Sequence, residues 1–96
     1  MKTVWKYRIE LRSWFEKDAS DEVDIPAGAK IVYAEAVSAT QWDIWVEVET
    51  TNQATPVHFV LYGTGFTFED DVSHVATARL GDYVWHLYRK NQGEQQ

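Results

Sequence analysis

The sequence contains no cysteine, which excludes disulfides and thiolate-held metal and leaves nothing that points to secretion. No apolar run approaches the roughly 20 residues of a membrane-spanning helix. The first residues, Met1-Lys2-Thr3-Val4-Trp5-Lys6-Tyr7, alternate polar and apolar side chains where a signal peptide would carry an apolar block, so a cytoplasmic location is expected. Basic charge is scarce: nine Lys and Arg stand against 15 Asp and Glu, a net charge of −6. That balance argues against a surface for duplex nucleic acid, whose affinity comes from clustered cations. The acids are spread over several loops, so the chain does not imitate a regular row of phosphates. Internal repeats, linkers and sustained helical periods are also missing.

What remains is an aromatic-rich chain of 96 residues with five Trp, five Tyr and four Phe. It is long enough for one domain with a limited core, which large rings help to fill. Thr3, Trp5, Tyr7, Ile9 and Leu11 share one face of a half-buried strand, opposite Lys2, Lys6, Arg8, Glu10 and Arg12. Residues 22–25 form a short strand, and Pro26-Ala27-Gly28-Ala29 a turn. Residues 30–38 place Ile31, Tyr33 and Val37 on one face and Val32, Ala34 and Ala36 on the other. Both faces are apolar, which predicts a central strand. Alternation returns at 42–50, with Trp45 the one aromatic on an otherwise acidic face, and again at 57–62. A polar connection is expected at 51–56. A shorter strand follows at 75–80, then a Gly81-Asp82 hairpin turn and a last strand at 83–88. Strands at short, even spacing predict an all-β fold, a small antiparallel sandwich or barrel of about six to seven strands. The domain is expected over 1–88, with 89–96 a frayed tail.

The chemistry-bearing residues gather after the strand at 57–62. Gly63-Thr64-Gly65 could expose backbone N–H groups as an anion nest, but it lacks the strand-to-helix context of a nucleotide fingerprint and the lysine of a phosphate loop. Two glycines also suit a bulge or sharp corner. Glu69, Asp70, Asp71 and His74 form a candidate acid–base or hard-metal cluster, although consecutive acids on an extended segment converge poorly. His58 and His86 lie within strands and could meet across a pair to hold zinc. Nucleophilic catalysis has no Cys and no Ser in a nucleophile elbow. Trp5, Tyr7, Trp42, Phe59 and Trp85 fit a core. Trp14, Phe15, Trp45, Tyr62, Phe66 and Tyr88 do not share one buried face, and surplus aromatics on a small domain suit an interface or a flat ligand. The Trp14-Phe15 pair, in a polar loop, suits either a lid folded on the core or an exposed contact.

Several short pieces, taken in order, resemble a family of small uncharacterised domains common in bacteriophages and prophages. They are Met1-Lys2-Thr3-Val4-Trp5-Lys6-Tyr7 with Ile9, Ile25-Pro26-Ala27-Gly28-Ala29-Lys30-Ile31, Trp45-Val46-Glu47-Val48, Phe59-Val60-Leu61-Tyr62-Gly63-Thr64-Gly65, His74, and Val84-Trp85-His86-Leu87-Tyr88. The sequence departs from the family pattern in a longer loop at Trp14-Phe15 and in Phe66, where a His commonly follows the second glycine. The resemblance implies a phage or prophage origin and supplies no catalytic residue.

The expectation is therefore a non-enzymatic accessory protein acting in a host cytoplasm by binding a host protein or a small nucleotide-like signal, as in inhibition of a host defence. Its contact surface is expected to combine Trp14, Phe15, Trp45, Tyr62, Gly63, Thr64, Gly65 and Phe66, with Glu69, Asp70 and Asp71 on the rim. Arg8, Arg12, Lys30, Arg79 and Arg89 are the candidate partners of a phosphate. No metal or cofactor is expected. A homodimer would cover strand edges. The rival expectations are a minor virion or assembly protein and a small metal-dependent enzyme using the 69–74 loop.

Overall fold

The alternation that marks the strands also divides each into an inner and an outer face, and the fold follows from stacking the inner ones. In the computed structural model, residues 1–11, 20–68 and 71–91 are described. They form seven strands: β1 (Lys2–Glu10), β2 (Ser20–Pro26), β3 (Lys30–Ala36), β4 (Gln41–Glu49), β5 (Ala54–Gly63), β6 (Val72–Leu80) and β7 (Tyr83–Lys90). Two antiparallel sheets result, one of order β1-β4-β3 and one of order β2-β5-β7-β6, so the fold is a sandwich and not a closed barrel. The Cα trace spans 42 × 30 × 18 Å, the slab expected of two sheets stacked about 10 Å apart. Among the described residues no helix is long and apolar enough to cross a membrane.

The interior is built where the alternation is strongest. Trp42, Ile44, Val46 and Val48 of the central β4 meet Phe59, Leu61, Trp85 and Leu87 of the central pair β5 and β7, with Ile9 and Ile25 from the edges. Trp42, Phe59 and Trp85 take the expected core places. Trp5 does not: it shares the inward register but is 42% exposed, because β1 is an edge strand.

Four expectations about strands are corrected. The 30–38 strand is an edge, not a central strand. Its apparent two-sided apolarity comes from a bulge at Val32, where the register shifts between Ile31 and Tyr33. Ile31, Ala34 and Ala36 then pack against the core while Tyr33 is exposed. The polar connection is shorter than expected, since Ala54, Thr55 and Pro56 already pair with β2. The segment before 75 is not loop: Val72, Ser73 and His74 belong to β6 and pair with Lys90, Arg89 and Tyr88. The last strand likewise passes residue 88 to Lys90, and the Asn91 N–H donates to the Asp71 carbonyl at 3.1 Å, so the frayed tail expected over 89–96 does not begin at 89. Residues 92–96 lie outside the described residues.

The hairpin expected at Gly81-Asp82 is present. Leu80 pairs with Tyr83, and Gly81 takes φ +64° at the first loop position, which a type II′ turn reserves for glycine.

Candidate functional site

Tyr62 and Phe66 flank a turn in which each glycine has a separate cause. The Phe66 N–H donates to the Gly63 carbonyl at 3.0 Å, and Gly65 has φ +93°, the third-position geometry of a type II turn. Gly63 has no positive φ but is buried; a Cβ there would stand 3.1 Å from the Phe66 ring and 3.3 Å from Trp85. The first glycine thus admits two rings, the second the backbone. Phe66 meets Trp85 edge-on at 6.3 Å between centroids and covers one end of the core.

The outer face of the four-stranded sheet carries the polar chemistry. Cross-strand register aligns Tyr62 with His86, and His86 with Thr77 on the other side; His74 is aligned with Tyr88. His86 Nε2 lies 2.9 Å from Thr64 Oγ1, and His86 Nδ1 lies 2.9 Å from Thr77 Oγ1. Thr77 Oγ1 is also 2.8 Å from His74 Nε2. One assignment of protons satisfies the series. The Thr64 hydroxyl donates to the Val84 carbonyl at 3.3 Å, so it accepts from His86 Nε2–H. His86 Nδ1 is then an acceptor and takes the Thr77 hydroxyl proton, and Thr77 accepts from His74 Nε2–H. Both imidazoles are held in the Nε2–H tautomer by neighbours on three strand segments.

Aromatic rings continue this strip. Phe68 stacks on Tyr62 at 4.5 Å between centroids, with 23° between ring planes, and tilts onto Tyr88 at 5.0 Å. Tyr88 meets Tyr62 at 5.6 Å and His74 at 5.2 Å, both edge-on. Between them lies a hollow of about 170 Å³ bounded by Tyr62, Thr64, Phe68, His86 and Tyr88. On the other side of the turn is an apolar basin of about 830 Å³ bounded by Ala39, Leu80, Tyr83 and Trp85. Gly63, Thr64 and Phe66 border both, so the turn is a ridge between two concave surfaces.

The structure brings together Tyr62, Gly63, Thr64, Gly65 and Phe66 of the expected contact surface. Trp45 is elsewhere, on the outer face of the three-stranded sheet. There it lies 5.3 Å from the Tyr33 ring and beneath Lys6 Nζ at 5.5 Å. Trp14, Phe15, Glu69 and Asp70 lie outside the described residues; Asp71 is exposed. Phe68, Thr77, His86 and Tyr88 complete the face without having been assigned to it. Tyr88 and His86 were legible as outward positions of the last strand, but what joins them to Tyr62 is the pairing of β5 with β7.

His58 and His86 do not meet. His86 faces Tyr62, four positions along β5 from His58, and His58 Nε2 pairs with Glu22 at 3.2 Å. Among the described residues no group of three His, Cys, Asp or Glu side chains could hold a metal ion. The candidate phosphate partners also separate. Arg8 grips Asp43 with two hydrogen bonds of 2.8 and 3.1 Å. Asp43 is only 4% exposed, and the Arg8 bonds hold its carboxyl below the usual range. The same bonds raise Arg8 above its ordinary value. Arg79 Nε donates to the Gly81 carbonyl at 3.4 Å, and Arg12 lies outside the described residues. Lys30 and Arg89 converge on a cleft away from the turn.

Searches of the curated proteins and of the solved structures return no significant match. The comparison with protein families does: the model of a domain of unknown function, DUF7352, matches residues 1–96, and the chain belongs to that family.

Proposed function

We propose that this chain is a non-enzymatic accessory protein of phage type that works by binding a host protein, as in the inhibition of a host defence system. The observation that carries the reading is the ridge at Gly63–Phe66. It lies between a polar, aromatic face and an apolar basin, the mixture of rings and satisfied polar groups found at protein interfaces. The hollow beside Tyr62, at about 170 Å³, is smaller than the roughly 300–1,000 Å³ of most small-molecule sites. That size favours a protein partner over an enclosed nucleotide on this face. The hydrogen-bonded series from His74 to Val84 supports binding as well, since it spends both His86 nitrogens and His74 Nε2 on holding the surface in shape. The phage setting rests on the sequence resemblance.

The test is affinity capture from lysate of the natural host, with native mass spectrometry of the gently purified protein beside it. Phe68→Ala and Tyr88→Ala are each expected to lower recovery of one specific partner by about tenfold or more, as loss of interface anchors does, at an unchanged unfolding midpoint. Undiminished capture by both variants would reject this face. A discrete small mass that leaves on denaturation would replace the protein partner with a small signal.

A further inference from the structure

A second site lies where two edge strands, one from each sheet, approach each other. β3 and β6 lie against each other across the interior, and each carries a bulge, at Val32 and at Val75. Bulges bend and twist the strand that holds them and recur beside functional sites. A cleft of about 410 Å³ opens here between the sheets, with Ile25, Ile31, Val46 and Val57 on its walls. It adjoins a smaller hollow of about 280 Å³ bounded by Lys30, Ser73, His74 and Val75. Arg89 borders both.

Arg89 is placed there by its strand. Trp85, Leu87 and Arg89 alternate along one face of β7, the first two buried in the core and the third exposed at its mouth. Lys90 and Asn91 line the same opening. Among the described residues, no carboxylate is within ion-pair distance of Lys30, Arg89 or Lys90, and no acid lines either hollow. In a chain of net charge −6, a cleft bordered by cations alone is an uneven distribution that favours anions. Asn91, which lines the cleft, adds a donor: its Oδ1 accepts the Ser73 hydroxyl at 2.6 Å, and that bond does not use its amide N–H groups.

We propose that this cleft binds a small anion with an aliphatic body, its carboxylate or phosphate head held by Arg89 and the Asn91 amide and its chain lying between Ile31 and Val57, over the buried Val46. The guanidinium can meet either head with two parallel hydrogen bonds. Among the described residues no aromatic ring lines the cleft, so they offer nothing for a nucleobase to stack on, and the class is aliphatic. The cleft shares no lining residue with the Tyr62–Tyr88 face, which the adjoining hollow meets at His74, and the proposal stands apart from the partner proposed for that face.

Methyl- and arginine-labelled full-length protein, titrated by NMR with octanoate, octyl phosphate, octanol and inorganic phosphate, tests the proposal. Octanoate, octyl phosphate or both should shift the Ile31, Val46 and Val57 methyls and the Arg89 Nε–H saturably. Whichever head binds more tightly identifies its source. Octanol and inorganic phosphate should each bind at least about tenfold more weakly, as should the amphiphile to Arg89→Gln, since a charge-assisted contact is lost. Arg89→Lys should recover part of the loss. Asn91→Ala, beyond the end of β7, reads the same head contact should Arg89→Gln lower stability. Saturable shifts absent with both amphiphiles, octanol as tight as octanoate, or full affinity in both Arg89→Gln and Asn91→Ala would overturn it.

Discussion

Alanine at position 63 separates two reasons for a glycine that sequence alone cannot tell apart. Gly63 is not among the glycines with positive φ, so an L-residue is allowed there. Restricting the unfolded chain would by itself stabilise the variant by about 0.4–1 kcal/mol. Against this, the new Cβ would sit 3.1 and 3.3 Å from the Phe66 ring carbons Cε1 and Cζ and 3.3 Å from Trp85 Cζ3. Overpacking of this kind costs about 1–3 kcal/mol. Trp85, 7% exposed, has nowhere to retreat, whereas Phe66, 45% exposed, can swing outward. The expected balance is a loss of about 1 kcal/mol, or about 4–8 °C in Tm for a domain of this size.

Gly65→Ala should cost a similar amount by another route. Nothing lies within 4 Å of its Cβ position, but φ is +93°, and left-handed backbone costs an L-residue about 1–2 kcal/mol. Both substitutions are then repeated in a Phe66→Ala background, with urea unfolding followed by tryptophan fluorescence. Removal of the ring should shrink the Gly63→Ala penalty by roughly half or more, the coupling expected of touching groups. The Gly65→Ala penalty should persist. If Gly63→Ala costs the same with and without Phe66, the close approach of ring and backbone is not what the glycine serves.

Phe59→Ala, at the centre of the interior, should cost about 3–5 kcal/mol, a large share of the about 5–15 kcal/mol a small domain holds in total, and lower the unfolding midpoint by circular dichroism accordingly. Thr77→Val should change stability by less than about 0.5 kcal/mol, as exposed substitutions do. Its signature is instead in imidazole 15N spectra, where His74, held through Thr77, should lose its fixed Nε2–H tautomer while His86 keeps the one that Thr64 holds. Asp43, held below the usual carboxylate range chiefly by the Arg8 hydrogen bonds, stabilises the fold above its unfolded-state value of about 3.9. That contribution is lost as pH falls through the lower folded value, so the stability gap between the wild type and Asp43→Asn should close on acidification through that window. Trp45→Ala, on the opposite sheet, should leave partner capture unchanged while Tyr88→Ala lowers it by about tenfold or more.

Most of the sandwich was legible because seven half-buried strands announce themselves by alternation. Trp42, Ile44, Val46 and Val48 could face only inward, and Gly81-Asp82 could only be a tight turn. That hairpin even sets part of the site: counting back from Leu80–Tyr83 aligns Thr77 with His86. Counting further fails at Val75, where the bulge shifts His74 onto Tyr88. The union of Tyr62 with His86 depended on β5 pairing with β7, a choice of neighbour that no local pattern encodes. That the chain belongs to an uncharacterised domain family agrees with the expectation at that coarse level. The separation of Trp45 from Tyr62 was not, because an outward position looks the same on either sheet.

The failures of local pattern coincide with the surfaces proposed to act. Val32 and Val75 interrupt alternation on the two edge strands that border the Arg89 cleft, and Gly63 interrupts it at the ridge beside His86. A bulge at a sheet edge has a second use, blunting the edge against pairing with another chain. The two uses differ in what depends on their position. Edge protection would be served by a bulge anywhere along β3 or β6, whereas a cleft requires both at the same end, beside the cations of β7. Moving one is therefore decisive: deletion of Val75 should restore a continuous register to β6, leave the Phe59 and Trp85 core intact, and remove octanoate binding. A variant that folds, keeps the oligomeric state of the wild type and still binds would reduce the bulge to a spacer.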